Sequence, residues 1–319
     1  MYTRSLKSRL CRSCEQVEAS LLGWLETQHA ERWARCGGQD HVMFSLRCPT
    51  PNGYEMANKG YRNKLFNLWS EPLRGIHLCY EPEPSSRARA PTQSSVRFHS
   101  IAVPPMVDFK PMVEYNYAAR TGNKSKLLFF QGAPLKALRT LVSAAMARAA
   151  DCKLLQQVSR FKFARPDLQA AVMATSTFCY CPRGDTAVAK RQYDAVASRC
   201  IPIVAANEAE WAFSWRAQPA TFSLRVLEGD IVQPKDGSGG RRLVHTARGL
   251  PTERVAALQA GLAAVWRRYR YGPRWAAGEV LDSIVEELAD RAAVLRELGC
   301  ASGDGGLAAS AGGHRLSSA

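Results

Sequence analysis

The sequence is short of several things, and each shortage removes a class of protein. No window approaches the roughly 18 consecutive apolar residues that cross a bilayer as a helix. The best stretch, Leu135 to Ala150, is interrupted by Lys136, Arg139 and Arg148. The amino terminus is basic, "MYTRSLKSRLCR", but the following "ASLLGWL" is too short and too late for the core of a signal peptide. No signal or anchor is visible in this chain. Acids are scarce too: 28 Asp and Glu stand against 43 Lys and Arg, for a formal net charge of +15. No two aspartates stand in the Asp-x-Asp pattern that would hold a divalent metal beside a phosphate. The positive field draws nucleic acid, anionic membrane, acidic glycans or nucleotide phosphates, and charge does not choose among them.

Cysteine is not scarce, but order among the cysteines is. Ten of them, Cys11, Cys14, Cys36, Cys48, Cys79, Cys152, Cys179, Cys181, Cys200 and Cys300, follow no disulfide framework that spacing alone reveals. A zinc site from Cys11, Cys14, Cys36 and His41 is conceivable. It lacks a second cysteine pair at finger spacing, so thiols without a metal are the preferred reading.

What is present suits a globular α/β protein. At 319 residues and 46% hydrophobic, the chain is long enough for one large domain or two Rossmann-sized ones. Cys14 to Ala34 carries Val17, Leu21, Leu22 and Leu25 at helical spacing, Gly37 and Gly38 stop it, and "HVMFSL" follows as a strand. From Arg47 to Pro104 the pattern weakens into Pro, Ser and Arg-rich loop. At Leu127 the character changes. "LLFFQG" reads as a buried strand ending in a glycine turn, and "PLKALRTLVSAAMARAA" as a helix with Leu135, Leu138, Val142 and Met146 on one face. "TFCYC", a loop, "AVAKRQYDAVAS" and "IPIVA" then follow at the lengths of a parallel strand, crossover helix and strand. "FSLRVLEGDIV" adds a strand and turn, "RVAALQAGLAAVWRRYRY" a helix, and "GEVLDSIVEELADRAAVLREL" a last helix. Residues 1–126 form one expected unit, 127–298 a second, and 299–319, rich in Gly, Ala and Ser, an expected disordered tail.

The loop "PRGDT", Pro182 to Thr186, leaves the carboxyl end of a parallel strand and runs toward a helix, the place where such sheets bind ligands. Free backbone amides there favour a phosphate, with Arg183 as a cation and Gly184 permitting close backbone approach. One turn on, Arg191 and Asp194 stand three residues apart and share a helical face. A guanidinium grips a diphosphate by its fork, and a carboxylate accepts two ribose hydroxyls. The plainer reading has Asp185 capping the helix and Lys190 or Arg191 pairing with Asp194 at the surface. Local chemistry leaves both open.

The run Phe178-Cys179, Pro182-Arg183-Gly184-Asp185-Thr186, Arg191, Tyr193-Asp194-Ala195 and Cys200-Ile201-Pro202 resembles the donor-binding motif of the exostosin-like glycosyltransferases, family 47. Further stretches are similar to the family in the same order: "GGQDHVMF", "SIAVPPM", "LLFFQG", "FSLRVLEGDI", "VWRRYRYG" and "GEVLDSIVEEL". The resemblance implies a GT-B fold of two Rossmann-like halves, with the amino-terminal half incomplete. It implies transfer of a sugar, with inversion, from a nucleotide sugar, usually a UDP-sugar, to a glycan or polysaccharide acceptor, acidic acceptors included. By position it assigns Arg183 and Arg191 to the diphosphate, Asp194 to the ribose, and Asn207 or Glu208 to base or sugar, with Gly184 and Asp185 among the donor-binding residues of the loop. No cofactor or metal is expected, since side chains and helix dipoles offset the leaving charge. The family also implies the Golgi lumen or membrane, and allows a homo- or hetero-oligomer.

Departures are equally specific. Lys190 stands where the motif has a second Arg, Gln192 where it has Leu, and Tyr193 where it has Phe. Arg199 stands where it has the Gly that ends the helix in a left-handed conformation, so Arg199 adopts that strained backbone or the helix ends differently. The family's opening Tyr-x-Tyr-x-Leu-Pro strand and its Ala-Asp-Leu-Phe unit do not occur, so a partial or degenerate member is expected. Asp40 and His41 match a family motif and are weak candidates for the catalytic base, but they start a strand rather than end it. Glu55 is a substitute for the missing acid after "HVMFSL". Two alternatives follow: a catalytically inactive relative that binds nucleotide or serves as an assembly partner, and a nucleic-acid binder using the basic and aromatic runs "GYRNKLFNLW" and "WRRYRYGPRW". Packing at a helix end explains the rings of the second run better than a groove does, so no nucleic-acid partner is expected.

Overall fold

The computed structural model describes residues 23–24, 27–31, 35–38, 40–45, 76–79, 100–105, 124–133, 136–156, 166–184, 187–207, 209–214, 216–271, 278–298 and 300. Two parallel sheets organise them. The first has three strands, β1 (Val42–Ser45), β2 (Ile76–Cys79) and β3 (Ser100–Ala102), side by side in chain order. β2 and β3 lie in the stretch expected to be loop. The Pro and Arg-rich composition around them masked four- and three-residue strands whose Ile76, Leu78, Cys79 and Ile101 are buried.

The second sheet has five parallel strands: β4 (Lys126–Gly132), β5 (Cys152–Gln156), β6 (Ser176–Pro182), β7 (Ile201–Ala205) and β8 (Leu224–Arg225). Their order is β5-β4-β6-β7-β8. All of β7, and β6 apart from Thr177, is buried, which is why these strands read as continuous apolar runs rather than alternating ones. The helices are α1 (Ala137–Met146), α2 (Pro166–Ala174), α3 (Lys190–Ala197), α4 (Glu228–Val232), α5 (Gly239–Arg248), α6 (Thr252–Val265) and α7 (Val280–Glu297). From β4 the chain steps outward through α1 to β5, then back past β4 through α2 to β6 and onward through α3 to β7. Right-handed crossovers in opposite directions place α1 on one face and α2 and α3 on the other. α4 and α5 pack on α1, while α3, α6 and α7 gather on the 3-10 turn Trp266–Tyr269.

Sequence reading passed over β5, α2 and α5. β5 is only "CKLLQ", and α5 opens on Gly239-Gly240, which reads as a turn. Those glycines are there for contact. A Cβ on Gly239 would fall 2.1 Å from the Ile231 carbonyl oxygen, and one on Gly240 2.3 Å from that of Leu141. The expected strand "FSLRVLEGDIV" keeps two strand residues and turns into α4. The helix expected through Tyr271 ends at Val265, and Tyr269 goes into an aromatic cluster with Tyr193, Trp211 and Phe222. Within it, the Tyr193 hydroxyl accepts the Ala212 N-H at 3.0 Å, a bond that the family's Phe would not make.

Among the described residues, two complete cysteine pairs stand where thiols were expected. Cys179 on β6 and Cys200 at the start of β7 form a disulfide, as do Cys36 and Cys300. Cys79 is disulfide-bonded as well, whereas Cys152 and Cys181 are free. Pairing of Cys36 removes it from the zinc site considered above; Cys11 and Cys14 lie outside the described residues. No group of three or more metal-ligating side chains occurs among the described residues. No described helix is long and apolar enough to cross a membrane. The tail expected to be disordered over 299–319 is corrected at Cys300, which is described and tied to Cys36; the rest of that tail, Glu55 and the run 60–69 lie outside the described residues.

Candidate functional site

The strand order reverses between β4 and β6, and a parallel sheet opens a crevice at such a point, beyond the carboxyl ends of its strands. β4 ends there at Gly132 and β6 at Pro182. The Arg183 amide still donates to the Ala205 carbonyl at 3.0 Å, which carries the loop after β6 along β7. The loop's carbonyls are then taken up by α1. Lys136 Nζ donates to the Gly184 oxygen at 2.6 Å and Arg139 Nη2 to that of Arg183 at 3.1 Å.

Arg191, in the first turn of α3, points back into this crevice. Its guanidinium carbon lies 5.1 Å from the centroid of the Phe130 ring, and its Nη1 is buried without a hydrogen-bond partner. Gly132 makes the approach possible: a Cβ there would stand 2.9 Å from Phe130 Cζ and 3.3 Å from Arg191 Nη2. Burial holds the Arg191 pKa below the usual arginine range, and Arg139 adds to the effect against the pull of Cys181 and Asp194. An arginine remains charged under such a shift, so the crevice keeps a buried cation whose donors are not all used. An anion would complete it.

The sequence-assigned residues fall in different places around that cation. Arg183 lies beside the crevice with Nη1 3.6 Å from Glu228 Oε1. Asp194 is buried, 4% exposed, and accepts from Lys190 Nζ at 2.7 Å. The pair expected at the surface is therefore formed, with its acid inside. Asn207 and Glu228 hold each other reciprocally: the Asn207 amide donates to Glu228 Oε1 and the Glu228 amide to Asn207 Oδ1, both at 3.0 Å. Asp185 and Glu208 lie outside the described residues. The N-cap position of α3 is held by Ala189, which makes no side-chain cap hydrogen bond, and α3 begins five residues beyond Asp185. Two further cations meet the loop from the start of α1, Lys136 at its N-cap and Arg139 in its first turn.

Sequence reasoning missed Lys136, Arg139 and Glu228. The first two read as the polar face of an amphipathic helix, yet they sit three apart in the turn that follows Gly132, where a ligand-facing residue is expected. Glu228 was hidden because its position depends on the turn from β8 into α4.

Arg199 ends α3 with φ of 51°, the left-handed conformation that the family gives to Gly, and carries the strain that this implies for a side chain. Its carbonyl accepts from Lys124 Nζ at 3.0 Å, and the same amine donates to the Ala174 carbonyl at 2.7 Å. Burial first, then the Arg199 charge, lower the Lys124 pKa to about 8. Buried Cys181 is pushed up to about 12, so its thiol stays protonated and inert. Asp40 and His41 stand at the amino end of β1, as their sequence position implies. Asp40 pairs with Arg35 Nε and lies 3.4 Å from His41 Nδ1.

These features define an α/β protein with a doubly wound parallel sheet and a crevice prepared for an anion. The family profile of the Exostosin GT47 domain matches residues 2–236, and the chain belongs to that family. It is similar to the probable arabinosyltransferase ARAD1 of Arabidopsis thaliana, 25% identical over 301 residues, covering 90% of this chain and 60% of that protein. It is also similar to the probable xyloglucan galactosyltransferase GT15 of the same plant, 21% identical over 267 residues, covering 81% of this chain and 54% of that protein. The chain thus spans a little over half the length of these relatives.

Proposed function

We propose that this chain is a glycosyltransferase that takes a sugar from a UDP-sugar bound at the β4–β6 crevice and passes it, with inversion, to a glycan acceptor. One observation carries the reading: the Arg191 guanidinium is buried at the strand-order reversal with Nη1 unpartnered, against a strand end kept bare by Gly132. A diphosphate supplies the anion that this cation lacks. Arg183, Lys136 and Arg139 surround the same loop, so the charge that grows on the departing UDP meets fixed cations, and transfer proceeds without added metal. Relatives named as arabinosyl- and galactosyltransferases agree with a sugar as the group moved.

The ribose falls to a carboxylate, and two compete. Asp194 has the sequence pattern, but it is buried against Lys190. Glu228, beside Arg183 and half-buried, is better exposed, and we assign the ribose hydroxyls to it, with Asp194 orienting Lys190. Glu228→Gln then reduces the preference for UDP over its 2'-deoxy analogue, while Asp194→Asn leaves it unchanged; the reverse pattern restores Asp194. Residence in the Golgi lumen suits buried disulfides, which persist in oxidising compartments.

Donor hydrolysis tests the activity directly. An intact site leaks sugar from its preferred UDP-sugar to water, and the leak survives a chelator. Binding of UDP without any hydrolysis or transfer across a panel of donors would leave a nucleotide-binding relative, not an enzyme.

A further inference from the structure

Arg225, the last residue of β8, is exposed, yet its guanidinium serves no carboxylate among the described residues. Its Nη2 instead faces three backbone carbonyls of the segment leaving β7: Asn207 at 2.7 Å, Ala209 at 3.0 Å and Ala206 at 3.4 Å. Three neutral acceptors around one cationic nitrogen gain little long-range attraction and fix a good deal of geometry. The segment needs fixing, because β8 pairs with β7 through two residues only, Leu224 with Ile203 and Arg225 with Val204. Asn207 in this segment then meets Glu228 through the two reciprocal bonds described above.

We infer that Arg225 is a positioning residue for the nucleoside end of the donor crevice. By clamping the carbonyls beyond β7 it sets Asn207 against Glu228, and so holds the Glu228 carboxylate beside Arg183. It acts through these groups and touches no phosphate; the diphosphate end, built by Arg191, Lys136 and Arg139, lies on the other strands. This rests on the donor reading proposed above.

Arg225→Ala and Arg225→Lys are compared with the wild-type chain in two measurements. The first is amide hydrogen exchange in the unliganded protein. The Asn207 amide, bonded to Glu228, and the Ala209 amide, bonded to the Ala206 carbonyl, are expected to exchange at least about tenfold faster in Arg225→Ala. The Arg183 amide, bonded to Ala205, and the melting temperature should move little. The second is binding of UDP and of uridine. Both are expected to weaken by the same factor, about tenfold, with Arg225→Lys recovering part of the loss. Unchanged exchange at Asn207, or a loss confined to UDP, overturns the inference. If the wild-type chain binds neither ligand, the donor reading fails, and the exchange measurement alone decides whether Arg225 holds the segment.

Discussion

Both sheets of this chain are parallel, and they differ in how their strands are ordered. β1, β2 and β3 lie side by side in the order in which the chain makes them, so among the described residues no reversal opens a crevice between neighbours. In the five-stranded sheet the chain doubles back over β4, and the helices leaving β4 and β6 part to opposite faces. The charges follow the topology. Lys136, Arg139, Arg183 and Arg191 converge on the reversal, whereas Asp40 and His41 sit at the amino edge of the smaller sheet and engage Arg35 and each other. A net charge spread over the whole sequence thus becomes a site only where strand order makes room for one.

The largest stability effect is expected at the disulfide that ties the two strands flanking α3. Replacing both Cys179 and Cys200 by Ser should lower the stability of the five-stranded unit by about 3 kcal/mol, from the 21-residue separation that the bond closes. Urea unfolding followed near Trp211 reads this loss, and an unchanged midpoint would show that strand packing alone holds β6 to β7.

A smaller effect is expected at the crevice itself. Gly132→Ala places a methyl against Phe130 and Arg191, so it should cost about 1–2 kcal/mol of stability and displace the guanidinium. UDP would weaken more than the stability loss alone accounts for, since Arg191 leaves its ring. Equal affinity in the variant would mean that the bare strand end is not part of the site.

The smallest effect is a pH dependence at Lys124, on the rim of the sheet's amino end. Its folded pKa of about 8 lies below the ordinary lysine value, so between these the native state holds fewer protons than the unfolded chain, and stability rises with pH. Cys152, pushed up to about 11, and Cys181, pushed up to about 12, act in the opposite sense above the ordinary thiol range. The Lys124 contribution is therefore read as a difference. Wild type should gain on Lys124→Met as pH rises from 7.5 to 9.5, and a constant gap would deny the shift.

Much of this second sheet was legible in the sequence. β6 and β7 are fully or nearly fully buried apolar runs, β4 is buried over Leu128–Phe130 and ends in Gly132, and α1 shows its apolar face at helical spacing. Such signals are local. β2 was illegible because "IHLC" is four residues within Pro and Arg-rich surroundings, and α5 because its opening glycines serve contacts with Ile231 and Leu141 that only the fold brings near. Of the candidate crevice, the part carried by one loop and one helix, with Arg183 and Arg191, could be located from sequence; its donor role is the proposal made above. Lys136, Arg139 and Glu228 come from other elements, and their roles depend on packing that no local pattern encodes. Asp194 shows the opposite case: its spacing from Arg191 was right for one helical face, but the fold turns it inward onto Lys190.

The central claim is that Arg191 is the cation awaiting a diphosphate, and titration of UDP and uridine against wild type and Arg191→Ala by calorimetry tests it most directly. UDP affinity should fall by roughly a hundredfold in the variant while uridine changes little, because only the diphosphate loses a buried charged partner. Equal losses for both ligands, or UDP affinity unaltered by the substitution, would contradict it.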